Sequence, residues 1–331
     1  MSKINIGLDV GNSDVKTSLT TTPSGFSTYA KKPFSEEYLK INDHYYIPEQ
    51  DRFPYTKDKT INENLFIMSC FGIAKEILAI ATNKDNKKRR AAKENPLLKK
   101  DIIGIQAEID KIDFIKLGTG LPPTHIASLS DATKKYYYDH FSDGVEFEYC
   151  GYRFSFRLIR CECYPQNFAT ILIYNTAKNP ESIIAIYDTY YAVDIGGETV
   201  DKVAIINGKV SISKSDSLPI GILEMQNSII QQIEMEEGYR LDKIQVIKIL
   251  QNKKTIIEEK IIDSVKKLAN EWYHLIMGRL AIDGFPVLFM GGGSILLKPY
   301  IEQKDVVKVY EIIEDPHSNA EAFKRLISRE K

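Results

Sequence analysis

Residues Ile6–Lys16 read IGLDVGNSDVK. An apolar run ends in a carboxylate, Asp9, and gives way to Gly11, Asn12, Ser13 and Asp14 before Lys16. Lys3–Val10 has the make-up of a strand. Asp14–Thr21 reads as a second strand beyond a tight polar turn, so the pattern predicts a hairpin and not a strand feeding a helix. The design recurs at Tyr190–Ile206, YYAVDIGGETVDKVAII, where Asp194 ends the apolar run and Gly196 follows two residues later. Mixed helical and strand-like sequence follows each copy. The expectation is an α/β chain of two related lobes, each a central mixed sheet flanked by helices.

The 331 residues are too many for one simple core, which agrees with two lobes. A net charge of -1 gives the whole chain no bias toward nucleic acid or membranes. A local exception is NKDNKKRRAAKENPLLKK, where Lys84–Lys100 holds eight basic and two acidic residues; it reads as a solvated face or as a contact surface. Cys161 and Cys163 form a C-x-C without a second pair at zinc-finger spacing, in an alternating stretch that reads as strand. No export segment is apparent before Gly7, and no apolar run is expected to reach the ~18 residues of a membrane span. A cytoplasmic protein with reduced thiols is expected.

Between the hairpins, Glu63–Asn83 has the periodicity of an amphipathic helix, and Ile102–Leu117 contains strand-like runs. GTGLPP (Gly118–Pro123) reads as a turn-rich crossing. Asp131–His140 and Gln166–Lys178 read as helices, with the hairpin VEFEYCGYRFSFRLIRCECY between them. Leu218–Asp283 is dominated by helical patterns. FPVLFMGGGS reads as a buried strand ending in a glycine-rich turn, Val306–Tyr310 as a last short strand, and SNAEAFKRLISREK as a closing helix.

Two carboxylates at strand ends in a cleft repel unless a cation lies between them. A hydrated Mg2+ carried by a nucleotide fits, since Mg2+ keeps several waters and uses one or two carboxylates. The turns supply the complementary half: Gly11, Asn12 and Ser13, and likewise Gly196, Gly197 and Thr199, present backbone N–H groups and short polar donors that suit phosphate oxygens. Lys16 is placed to reach a β or γ phosphate as a point charge. Gly291, Gly292, Gly293 and Ser294 let a flat ring lie against backbone. Neither a Walker A loop nor a G-x-G-x-x-G fingerprint is present.

These residues resemble a known superfamily. LDVGNSDVK resembles the first phosphate loop of the actin, Hsp70 and sugar-kinase superfamily, VDIGGETVD its second phosphate loop, and VLFMGGGS its adenosine motif, in the family's order and across nearly the whole chain. Within it, the plasmid-segregation actins, the ParM-like proteins, are most similar. The second loop is written D-I-G-G-x-T-x-D; GLP at Gly120–Pro122, YPQNFA at Tyr164–Ala169 and HSNAEAFKRL at His317–Leu326 resemble their further motifs, with Ala322 where a glycine is usual.

The resemblance implies a two-lobed actin/Hsp70-like ATPase fold with a nucleotide cleft between the lobes. Lobe I would take residues 1–170 plus 316–331, with an inserted subdomain at about 30–110. Lobe II would take 171–315, with a helical subdomain near 218–285. It implies Mg2+ held through water by Asp9 and Asp194, and phosphates bound by Asn12, Ser13 and Lys16 from one lobe and by Gly196, Gly197 and Thr199 from the other. Gly291–Ser294 would line the adenosine side, and Gln166 would orient the attacking water. The nucleotide is ATP, with GTP left open. The implied activity is ATP hydrolysis coupled to a head-to-tail filament that moves plasmid DNA, through a ParR-like adaptor on centromeric DNA and without sequence-specific DNA contact of its own. Three other activities share the fold. A small-molecule kinase needs a general base, and no sugar-kinase signature surrounds a candidate Asp. A chaperone ATPase needs a further substrate-binding domain. A cell-shape or division actin usually carries an amphipathic membrane-binding end, whereas Asn319–Glu330 is short and heavily charged.

Overall fold

The computed structural model describes residues 2–49, 53–54, 56–82, 102–174, 179–282 and 284–330. It divides into two compact units, Met1–Ile173 with His317–Lys331, and Tyr174–Pro316.

In the first unit the chain runs β1 (Ser2–Val10), β2 (Asp14–Thr17), β3 (Thr21–Pro23), β4 (Phe26–Tyr29), β5 (Leu39–Ile41), β6 (His44–Pro48), α1 (Asn64–Thr82), α2 (Ile102–Ile109), β7 (Ile112–Leu121), α3 (Pro123–Phe141), β8 (Val145–Tyr149), β9 (Tyr152–Pro165) and α4 (Phe168–Ile173). One nine-stranded sheet results, in the order β3-β2-β1-β7-β9-β8-β5-β6-β4. Its centre is parallel, β1 on β7 on β9. Helices cover both faces of such strands, which is why Ile6, Leu8, Ile115 and Leu117 are wholly buried. The C-terminal helix α11 (Ser318–Arg329) returns to this unit. It lies so close to β1 that a Cβ on Gly7 would sit 1.8 Å from the Ala320 carbonyl oxygen.

The second unit runs α5 (Ile183–Ile186), β10 (Tyr190–Ile195), β11 (Val200–Ile206), β12 (Lys209–Leu218), α6 (Ile222–Glu237), α7 (Lys243–Leu250), α8 (Glu259–Leu280), β13 (Val287–Met290), α9 (Gly292–Leu296), α10 (Lys298–Ile301) and β14 (Tyr310–Ile312). Its sheet order is β12-β11-β10-β13-β14. Three antiparallel strands followed by two parallel ones repeat the β3-β2-β1-β7-β9 half of the first sheet, element for element. The core beneath it comes from α6 and α8, through Met225, Ile229, Ile233, Val265, Tyr273 and Ile276. Asp242 and Gln245 close a capping box that starts α7, and Gly238 in the left-handed conformation ends α6.

Several local expectations are corrected. Ile102–Ile109 is helix, not strand: a short apolar run carries too little period to separate the two. Gly118–Leu121 is not a turn but the end of β7. The strand at Asp14–Thr21 breaks after Thr17 and resumes at Thr21. The last strand is Tyr310–Ile312 rather than Val306–Tyr310. Helix α1 has 19 residues and is apolar enough to span a membrane by length and composition; two thirds of that stretch is buried in the first unit, so it is a core helix. Its one buried acid, Glu76, accepts from Thr17, Ser18 and the Lys324 ammonium. The basic run Lys84–Lys100 lies outside the described residues.

The four cysteines are free thiols. Burial pushes Cys150 up to about 11 and Cys163 up to about 12, and raises Cys70 and Cys161 as well, so none is a reactive thiolate at neutral pH.

Candidate functional site

In the first hairpin, β1 and β2 pair Leu8 with Thr17, Asp9 with Lys16 and Val10 with Val15. Residues opposed in antiparallel strands share a face, so Asp9 and Lys16 stand side by side. The Gly11 N–H donates to the Asp14 carbonyl (3.0 Å) and closes the turn. A Cβ on Gly11 would lie 2.9 Å from that same oxygen. Ser24, just past β3, gathers the loop's carbonyls: its N–H donates to Ser13 O (3.2 Å) and its hydroxyl to Gly11 O (2.8 Å). The Lys59 ammonium donates to the Val10 carbonyl.

The second hairpin is the same construction. Asp194 pairs with Asp201 and Ile195 with Val200. The Gly196 N–H donates to Thr199 O (2.9 Å), and a Cβ on Gly196 would lie 2.9 Å from that oxygen. Here the start of α6 gathers the carbonyls, through Ile222 N–H to Gly196 O (3.0 Å) and Leu223 N–H to Gly197 O (2.9 Å).

The consequence is shared. Both loops have their carbonyls tied from behind. Among the described residues no group accepts from the N–H of Asn12 or Ser13, nor from that of Gly197 or Glu198. The Ser13 hydroxyl oxygen is buried with no hydrogen-bond partner among the described residues. In each loop, taken by itself, the unspent N–H groups suit an anion such as a phosphate oxygen, and in the first loop the buried Ser13 hydroxyl joins them.

Gln166 follows β9. Its N–H donates to Leu121 O (2.9 Å), and its side-chain amide donates to Asp9 Oδ1 (2.8 Å). The structure therefore joins the residue expected to orient water with one expected to hold the metal. The next residue, Asn167, is buried in a left-handed conformation (φ 64°). Asn319 Oδ1 at the start of α11 accepts from Asn167 N–H (2.8 Å) and from the Thr170 hydroxyl (3.1 Å). YPQNFA and HSNAEAFKRL, whose Asn167 and Asn319 are 152 residues apart in the sequence, are thus one buried polar joint.

After β13, Gly291 takes φ 85°, and a Cβ there would lie 2.0 Å from Asp194 Oδ1. A Cβ on Gly293 would meet Ile195 and Ile222 within 2.7 Å, whereas Gly292 faces open space. The glycines do not form an isolated turn: Gly292 begins α9. Ser294 is buried and donates its hydroxyl to Met290 O (2.5 Å), so its side chain serves the helix start.

Sequence reasoning passed over Ser24, Lys59 and the start of α6. They reach the loops from irregular or distant segments, and only the folded register brings them there. Asp201 stood in the quoted motif without a role. It is buried, and its Oδ2 accepts from the Thr199 hydroxyl (2.9 Å). Burial raises its carboxyl above the usual range, against the pull of Ser217 and Thr199.

Each unit has a five-strand core with a carboxylate-ended hairpin, and the fold is that of the actin-like proteins. Residues 192–303 match the model of the archaeal actin homologue MreB-like C-terminal family. Among solved structures, an archaeal actin homologue is similar over 98% of this chain and 99% of its own (TM-score 0.69, 16% identity). A ParM from a 15-stranded filament of Clostridium botulinum is similar over 99% and 100% (TM-score 0.65, 16% identity). A Bacillus thuringiensis ParM with ATP is similar over 97% and 96% (TM-score 0.58, 12% identity). No curated sequence is similar enough to match.

Proposed function

We propose that the protein is an ATPase that assembles head to tail into filaments, and that the filament segregates plasmid DNA through a ParR-like adaptor in the cytoplasm. The observation that carries the reading is the pair of hairpins with tied carbonyls and unspent N–H groups. In this reading Asn12, Ser13 and Lys16, with Gly196, Gly197 and Thr199, bind the phosphates. Gly291–Gly293 supply backbone without side chains for the nucleoside, and Ser294 holds that helix start. Asp9 and Asp194 hold Mg2+ through water; the ion, when bound, neutralises phosphate charge. Gln166, already bonded to Asp9, keeps its amide oxygen to orient a water. Solved relatives include an ADP complex of the archaeal homologue, the ATP-bound ParM and the ParM filament, which support nucleotide binding and self-association here.

The test is sedimentation of the purified chain with and without Mg-ATP, with phosphate release followed in the same tube. Pelleting that needs ATP, together with phosphate release, is the expected result. Soluble protein that still hydrolyses ATP would favour a kinase or chaperone activity. The match to the MreB-like model favours, as a second reading, a cell-shape actin. ATP-dependent co-sedimentation with anionic vesicles, absent without them, would select it.

A further inference from the structure

The side chain that reaches Asp9 sits one residue before a sharp bend. The Gln166 N–H is fixed to the end of β7 through Leu121 O (2.9 Å). Beyond it the chain turns within three residues: Phe168 N–H donates back to Gln166 O (2.6 Å), with Asn167 between them at φ 64°. A side chain in this region strains the backbone, and such a bend persists only where its surroundings over-determine it. Asn167 is wholly buried, so water does not support the bend. Asn319 does. Its Oδ1 accepts from Asn167 N–H at the bend (2.8 Å) and from the Thr170 hydroxyl beyond it (3.1 Å), and its Nδ2 lies 3.5 Å from Asn167 Oδ1. Without that oxygen a buried N–H would lose its acceptor at the strained residue itself.

Asn319 is in turn fixed to the strand that carries Asp9. The next residue, Ala320, is seated on Gly7, two residues before Asp9, where a Cβ would lie 1.8 Å from the Ala320 carbonyl oxygen. His317 Nδ1 donates to Thr17 O on β2 (2.7 Å). Asp9 and the bend after Gln166 are thus referred to one frame, β1 with the start of α11 seated on it, and the 2.8 Å bond from the Gln166 amide to Asp9 Oδ1 spans that frame. We propose that Asn319 is a positioning residue for nucleotide hydrolysis: through the Asn167 bend it aims the Gln166 side chain at Asp9, and so at the water that Gln166 orients. The effect on rate rests on the nucleotide reading above; the hold of Asn319 on Gln166 does not.

The experiment is steady-state Mg-ATP hydrolysis by the full chain, for wild type, Asn319→Ala, Asn319→Asp, Thr170→Val, Gln166→Ala and the Asn319→Ala/Gln166→Ala double variant. The side-chain amides of isotope-labelled glutamine are followed by NMR in the same proteins without nucleotide. Asn319→Ala should lower kcat by about tenfold and change KM by less than about threefold. In the Gln166→Ala background the same change should have no further effect on kcat, because the group being aimed is gone. Thr170→Val removes the joint's other bond and leaves the one at the bend, so it should lower the denaturant midpoint with kcat unchanged. Asn319→Asp keeps Oδ1 for both donors and should retain most of the turnover. The Gln166 amide signal, identified by its loss in Gln166→Ala, should move toward that of solvent-exposed glutamine in Asn319→Ala and stay in place in Thr170→Val. Asn319→Ser, shorter but polar, makes the same break more gently where the alanine variant does not fold. A kcat loss that adds to that of Gln166→Ala, equal losses in Asn319→Ala and Thr170→Val, an aspartate variant as slow as the alanine one, or an unmoved Gln166 amide in Asn319→Ala overturns the inference and leaves the nucleotide reading intact. Absence of ATP hydrolysis by wild type removes both.

Discussion

The hairpins at Ile6–Lys16 and Tyr191–Asp201 share one backbone and carry different chemistry. Position by position, IGLDVGNSDVK lies on YAVDIGGETVD. The strand-ending aspartate, the glycine two residues on and the closing N–H to carbonyl bond are common to both. These are what the turn needs: a Cβ at either glycine would press on a carbonyl oxygen at 2.9 Å. The rest diverges with its surroundings. Gly7 faces α11 where the second copy has the buried Ala192. Ser24 ties the first loop and the start of α6 ties the second. Lys16 opposes an aspartate in one, and Asp201 opposes one in the other. The geometry of the turn is kept, and the side chains around it vary with what packs against each copy.

The largest effects should fall on what the hairpins share. Asp9→Ala and Asp194→Ala should each lower Mg-ATP turnover by about a hundredfold or more while circular dichroism shows a folded chain. Turnover at the wild-type rate in either would sink the equivalence of the two loops. Gln166 donates to Asp9 of the first hairpin. Gln166→Ala should slow hydrolysis by about tenfold to a hundredfold and change ATP affinity by less than about threefold; a lost affinity with intact turnover would make it a binding residue instead.

A stability contrast sharpens the comparison. Gly7→Ala should destabilise by about 3 kcal/mol, because the new methyl runs into the α11 backbone. At the matching place Ala192→Gly should cost only about 1 kcal/mol. Equal shifts in denaturant midpoint would show that α11 does not impose the difference.

The smallest effect concerns pH. Burial raises the Asp201 carboxyl in the folded chain. The folded state then binds more protons than the unfolded one, and stability is lost as pH rises above the ordinary carboxylate range of about 4. Asp201→Asn removes that term, so the variant should gain on wild type between pH 4 and neutrality. A gap that narrows as pH rises would contradict it.

Both hairpins were legible because alternation and the Asp-x-Gly turn are local signals, and their duplication predicted a duplicated sheet. What escaped was not local. Ile102–Ile109 is too short for its period to separate helix from strand. The polar edge strand β12, KVSISKSDSL, lacks the apolar face that reveals a strand. Gly118 and Gly120 look like turn residues in a sequence, yet they sit within β7, where a Cβ on either would run into Phe323 of α11. In the candidate site, Asp9, Asp194 and the loop glycines could be read directly. The Gln166–Asp9 bond, the Asn319 joint and the hold of Asp201 on Thr199 exist only once the register is known.

The most direct test of the central claim is calorimetric titration of Mg-ATP into the full chain and into Lys16→Ala and Thr199→Ala, one change in each hairpin. Twin phosphate loops predict one ATP per chain, and binding weakened by about tenfold in each variant, as expected for the loss of one contact to a charged phosphate. Full-strength binding in both variants, or no ATP binding by the wild-type chain, would contradict it.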